Sequence, residues 1–168
     1  DYVPKEYGYG KRKNVLTQAE FAELLAKGEM PHKKVVMIQC VGSRNEEHPW
    51  CSRVCCVDAL QNALKAKGLD REAEITIVHR DMRVYGFEED LLTDTQDAGV
   101  KFIRVEASPK VTARGGLKVS LRDADKGEDV TLEADAVVLS TGVAPSTENA
   151  ELAKLLGISL TNDGFFKE

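Results

Sequence analysis

Apolar residues fall in this chain in two alternating patterns. Short continuous runs are separated by stretches in which hydrophobic positions recur every three or four residues. Val35-Val36-Met37-Ile38-Gln39, Glu74-Ile75-Thr76-Ile77-Val78, Val100 to Val105 and Ala136-Val137-Val138-Leu139-Ser140 are runs of the first kind. Strands of a parallel sheet are buried on both faces and read in this way. Between them the period is helical. Thr17 and Glu20 form a capping box, Phe21, Leu24 and Leu25 share one face, and Gly28 closes the helix. Ser52 to Lys67 predicts a second helix, with Val54, Leu60, Ala63 and Leu64 on its apolar side and Gly68 as its stop. Phe87 to Asp97 predicts a third, closed by Gly99, and Ala150 to Leu156 a short last one before Gly157. Leu117 to Arg122 and Asp129 to Glu133 flank Asp125-Lys126-Gly127-Glu128 and read as a β-hairpin.

Alternation of strand and helix predicts an α/β fold: a Rossmann-like, doubly wound, mostly parallel sheet with an inserted β-hairpin. Residues 1–14, rich in Tyr, Gly and Lys without apolar periodicity, read as an extended N-terminal arm, and residues 15–168 as the domain. The chain starts at Asp1 and ends in Phe165-Phe166-Lys167-Glu168, which reads as a piece of a longer polypeptide.

A dinucleotide-binding sheet runs from its first strand into G-x-G-x-x-G, whose glycines admit the pyrophosphate. Here that place reads Gln39-Cys40-Val41-Gly42-Ser43-Arg44, so the phosphate cradle is missing. The second strand ends in His79-Arg80-Asp81-Met82-Arg83. Basic residues there suit the extra phosphate of NADP, but without the glycines an exposed basic turn is the better reading.

Composition narrows the class. With 42% hydrophobic and 30% charged residues the chain is an ordinary globular one. A net charge of -5 gives no nucleic-acid footprint, and no apolar run is long enough for a membrane span. All four cysteines, Cys40, Cys51, Cys55 and Cys56, lie within one short segment. Cys40 falls at the carboxyl end of the first buried strand, where open α/β sheets bind ligands. Cys51, Cys55 and Cys56 fall at the start of the following predicted helix, with Cys51 and Cys55 at i and i+4 on one face. Thiolates ligate iron–sulfur clusters and thiophilic metals, and a helix N-terminus with Arg44 and Arg53 nearby favours them. Spacing alone leaves alternatives open. Zinc could use these cysteines with His48 in reserve, though its usual pattern is two separated pairs. Disulfides would strain the adjacent Cys55 and Cys56.

The run Val36 to Arg44, followed by Cys51-Ser52-Arg53-Val54-Cys55-Cys56, resembles the family of heterodisulfide reductase A-subunits (HdrA-like iron–sulfur flavoproteins). So do Glu6 to Gly10 with Asn14 to Thr17, Asp81 to Gly86, Gly99 to Arg104, Leu139 to Gly142 and Asp163 to Phe166. The resemblance implies a larger oxidoreductase built like thioredoxin reductase, with FAD mainly outside this chain and further ferredoxin-type clusters. The present domain would replace the pyridine-nucleotide domain. Cys40, Cys51, Cys55 and Cys56 would hold a [4Fe-4S] cluster near the flavin, with Thr141 and Gly142 close to it. Partners would be other heterodisulfide reductase-like subunits or ferredoxin-type carriers, in the cytoplasm, with membrane association only through those subunits. Methanogen-like members commonly show a flavin-associated lysine where this chain has Gln61. Either the flavin is tuned differently here or Gln61 is a solvated helix residue. The competing classes are a zinc-binding or thiol-containing docking domain and an NAD(P)-binding reductase domain.

Overall fold

The structure, a computed structural model, describes residues 2–167. In chain order the elements are β1 (Val15–Thr17), α1 (Gln18–Ala26), β2 (Lys34–Val41), α2 (Cys55–Leu69), β3 (Glu74–His79), α3 (Glu89–Asp97), β4 (Lys101–Arg104), β5 (Lys110–Thr112), β6 (Leu117–Asp123), β7 (Glu128–Ala134), β8 (Ala136–Thr141) and α4 (Asn149–Leu156). Five strands form one sheet in the order β1-β8-β2-β3-β4, every pair parallel. β5, β6 and β7 form a separate antiparallel sheet.

The double-sided apolar runs of the strands serve two cores. Val35, Met37, Ile75, Ile77 and Val138 meet Phe21 and Leu25 of α1 and Ala59, Leu60, Ala63 and Ala66 of α2. Small alanines on α2 let that helix lie close to the sheet. Val36, Ile38, Val78, Val137 and Leu139 face the other way, against Leu117, Val119 and Leu121 of β6. The α/β fold with its parallel sheet is as the sequence predicts. Its second face, however, is covered by a three-stranded meander rather than by a hairpin.

Several elements differ from expectation, each for a local reason. β1 is three residues long and owes its strand character to parallel pairing with β8, Val15 against Val137. β5 exists through its pairing with β6, Val111 against Val119. Residues 2–5 have no regular secondary structure and residues 7–11 form turns, with Tyr7, Gly8 and Gly10 at positive φ. Tyr2, Tyr7 and Tyr9 pack on the second core. Gly68 does not stop α2, which continues to Leu69. α1 keeps its capping box: Thr17 accepts from the Glu20 amide, and the Glu20 carboxylate accepts from the Thr17 amide.

The connections fix where a site can form. β3 and β4 lie successively to one side of β2, and the meander then carries the chain back to β8 on the other side of β2. The direction of winding therefore reverses between β2 and β8. The crevice beyond the carboxyl ends of two such strands is where open α/β sheets bind ligands. Cys40 and Val41 end β2 there, and Thr141 ends β8. No helix among the described residues is long and apolar enough to cross a membrane.

Candidate metal centre

The carboxyl end of β2 is distorted at its cysteine. The pairing of β2 with β8 shifts register between Ile38 and Val41, and Cys40 lies inside the shift with φ of 61°. A left-handed backbone costs a non-glycine residue about 1–2 kcal/mol, so such a residue marks a site held by its surroundings. Arg44 (φ 56°) and Arg53 (φ 66°) repeat this conformation in the following loop.

That loop is tightly tied. The Arg44 amide donates to the Trp50 carbonyl at 3.2 Å, and the Ser43 amide to the Cys40 carbonyl at 3.3 Å. His48 Nδ1 lies 2.9 Å from the Gly42 carbonyl oxygen, and the His48 ring contacts Tyr2 and Trp50. Trp50 Nε1 donates to the Val143 carbonyl at 3.0 Å, and the Val143 amide donates to Ser52 Oγ at 2.7 Å. The loop between the first two cysteines is thereby fastened to the segment that follows β8. His48, a reserve metal ligand by sequence, is engaged in holding the loop.

The cysteines are placed differently from the spacing argument. α2 begins at Cys55, so Cys51 stands in the loop and not one helical turn before Cys55. Left-handed Arg53 is the reason, because a helix cannot run through it. Cys55 and Cys56 open the helix, where backbone N–H groups lack intrahelical partners and negative charge is favoured. Both are buried, Cys40 and Cys51 are half-buried, and all four are free thiols.

The site has a charge pattern of its own. Burial pushes the Cys40 thiol up, opposed by the Arg44 guanidinium, whose Nη1 lies 4.0 Å from Cys40 Sγ. Hydrogen bonding between Cys55 and Cys56 pushes Cys55 up, aided by burial and by the charges of Cys56, Cys40 and Cys51. The same hydrogen bond lowers Cys56 to about 7, against its burial and with help from a backbone hydrogen bond from Arg83 and from the Arg44 charge. Arg44 forms an ion pair with Asp81, whose second oxygen accepts from Arg83 Nε at 3.1 Å. Burial would raise the Asp81 carboxyl, but the two guanidiniums hold it below its ordinary value. The sequence marks Arg44 as a nearby cation but does not announce its pairing with Asp81, which Arg83 shares. The signal was weak, since the two groups lie on different loops.

Chemically the donor set fits a thiolate-ligated centre. Among the described residues no three His, Cys, Asp or Glu side chains converge on the dimensions of a single metal ion. Gln39, beside Cys40 and 7% exposed, has neither amide atom partnered. His79 Nδ1, at the end of the neighbouring β3, is likewise buried without a partner. Unsatisfied polar groups at the cysteine edge suit a polar group bound in front of them.

The other expected residues divide. Gly142 lies at the crevice in close contact with the β2 loop, where an added Cβ would stand 2.8 Å from Ser43 Cβ. Thr141 precedes it, half-buried. Over Gly42, the one glycine left of the phosphate cradle, lies the Tyr2 ring, and an added Cβ would stand 2.1 Å from Tyr2 Cδ1. Gln61 is exposed in a recess between α1 and α2 lined by Gln18, Asp58, Asn62 and Lys65. It sits on α2, five residues beyond Cys56.

No family model matches the chain. Curated relatives do. The iron-sulfur A-subunit of the CoB–CoM heterodisulfide reductase of Methanocaldococcus jannaschii is 40% identical over 99% of this chain and 28% of its own length. The A-subunit of the H2/formate:CoB-CoM heterodisulfide,ferredoxin reductase of Methanococcus maripaludis is 39% identical over 98% of this chain and 28% of its own length. Among solved structures, thioredoxin reductase of Lactococcus lactis superposes with a TM-score of 0.60 at 18% identity, covering 98% of this chain and 46% of that one. Thioredoxin reductase of T. acidophilum gives a TM-score of 0.55 at 18% identity, over 98% and 46% of the two chains. These structures share the fold. The sequence relationship goes further: along its whole length this chain is a sequence of the heterodisulfide reductase A-subunit type, matching a segment that makes up 28% of the relatives.

Proposed function

We propose that this chain is an electron-transfer segment of a heterodisulfide reductase-like iron–sulfur flavoprotein, with Cys40, Cys51, Cys55 and Cys56 holding one [4Fe-4S] cluster. The observation that supports the reading is the confinement of all four cysteines to the end of β2, the start of α2 and the loop between them, beside the switch point between β2 and β8. The names of the two relatives agree with it, one denoting an iron-sulfur protein and the other part of a ferredoxin reductase. The cluster, when bound, supplies one-electron transfer. The chain's own part is to bind, orient and shield. β2 delivers Cys40 on a rigid sheet edge, and α2 delivers Cys55 and Cys56 at a helix start that favours negative charge. The fastened loop carries Cys51. Arg44 and Arg83 bring cations to thiolates that burial alone would keep protonated. Zinc usually takes its ligands in two separated pairs, a spacing these cysteines lack, which favours a cluster over zinc.

FAD would bind mainly outside this chain, with Thr141, Gly142 and Gln61 as the residues nearest to it. Electrons would pass between ferredoxin-type carriers, the flavin and partner subunits of a cytoplasmic oxidoreductase. Anaerobic reconstitution with iron and sulfide tests the reading. The expected product is a brown protein with about four irons per chain and a cluster-type EPR signal on reduction. Cys40→Ser and Cys55→Ser should lose that signal. Stoichiometric zinc with no iron uptake would overturn the proposal.

A further inference from the structure

We infer that Arg44, clamped by Asp81, sets the reduction potential of the group bound at the cysteines. The inference rests on the cluster reading above and concerns residues that reading leaves undefined.

Arg44 is held at three points. Its backbone is left-handed, its amide donates to Trp50, and its carbonyl accepts from Arg80 Nη1 at 2.7 Å. Its side chain is 21% exposed, so the guanidinium is not a free surface cation. One nitrogen, Nη1, faces both Cys40 Sγ and the Asp81 carboxylate. Asp81 binds Arg83 with its other oxygen. Three charges thus form a row beside the β2 ligand, joining the segments that follow β2 and β3. The row carries a net positive charge. Arg53, closer to the cysteines in sequence, is exposed and makes no such contacts among the described residues.

Reducing a thiolate-ligated cluster adds one negative charge. A fixed cation beside a ligating sulfur favours the reduced form, and hydrogen bonds to the sulfurs act in the same direction. Arginine suits the task because it stays protonated at every working pH and its fork can serve two acceptors at once. Asp81 both aims the fork and partly offsets its charge. The two residues therefore act with opposite sign, which a purely structural pair would not do.

The test is an EPR-monitored redox titration of the anaerobically reconstituted protein in four forms: wild type, Arg44→Gln, Arg44→Lys and Asp81→Asn. Arg44→Gln should lower the reduction equilibrium constant about tenfold, which is about 59 mV for one electron. Arg44→Lys, which keeps the charge, should stay near wild type. Asp81→Asn should shift the potential upward. Unchanged potentials in Arg44→Gln and Asp81→Asn, or shifts of the same sign, would overturn the inference and leave the cluster reading standing. If Arg44→Gln takes up no iron, the direction of the Asp81→Asn shift decides alone. A wild type that binds no iron overturns the cluster reading, and this inference falls with it.

Discussion

Substituting Gly142 by alanine probes the crevice directly. Gly142 follows β8 and lies outside the left-handed region, so alanine adds no backbone strain there. Its cost is contact alone. The new Cβ would stand 2.8 Å from Ser43 Cβ, 3.1 Å from the Gly42 carbonyl oxygen and 3.3 Å from the Gly42 carbonyl carbon. Carbon atoms pack best at about 3.5–4.0 Å, and two of these three neighbours are backbone that cannot swing away. The β2 loop must move, straining the bond from the Gly142 amide to the Val41 carbonyl (2.8 Å) and that from the Tyr2 amide to the Gly142 carbonyl (3.0 Å). Overpacking of this kind costs about 1–3 kcal/mol. For a domain of this size each kcal/mol lowers Tm by about 2–4 °C, so a cost of about 2 kcal/mol lowers Tm by roughly 4–8 °C. The displaced loop bears Cys40 at one end and Cys51 at the other, so iron uptake should fall as well. Differential scanning calorimetry and iron analysis measure the two effects. Gly68→Ala is the matched control: it lies within α2 with nothing within 4 Å of an added Cβ. Helix propensity predicts a gain of about 1 kcal/mol there. A Gly142→Ala protein that melts at or above wild type and binds full iron would refute the reasoning.

Two further outcomes follow from the fold. Thr17→Ala removes the α1 capping box and should cost about 1 kcal/mol, seen as a drop in Tm of roughly 3 °C with nearly unchanged circular dichroism; an unchanged Tm would show that the cap contributes nothing. Burial lowers the pKa of His79, only partly opposed by Asp125 and Asp81. Below about pH 6.5 the unfolded chain therefore takes up a proton that the folded chain resists, and stability falls with acid. Urea denaturation at about pH 7.5 and about pH 5.5 should show a smaller loss for His79→Leu than for wild type. Some loss should remain, because burial lowers His32 in the same direction. Equal losses in both proteins would exclude His79 as a source of the acid sensitivity.

Much of the parallel sheet was legible because its strands are buried on both faces and read as unbroken apolar runs. The cap of α1 was legible because both of its partners lie within three residues of each other. β1 and β5 were not: each is three residues long and is defined by a partner far along the chain. The grouping of the cysteines near one sheet edge could be read from their clustering and from the strand that precedes them. The position of Cys51 could not. Helical spacing placed it on one face with Cys55, whereas Arg53 takes a backbone conformation that its residue type does not announce. The Arg44–Asp81–Arg83 row escaped for a related reason, since it joins loops that only the β2–β3 pairing brings side by side.

The left-handed backbone at Cys40 bears on engineering. Common routes to a more thermostable variant include relieving positive φ by placing glycine at such positions, and residue 40 meets that criterion. Glycine there would gain stability and remove a proposed ligand in the same step. Screens that score only melting temperature would thus enrich variants that fold better and lack the proposed ligand. Any stabilisation of this chain has to be sought elsewhere, at places such as Gly68, with position 40 held fixed.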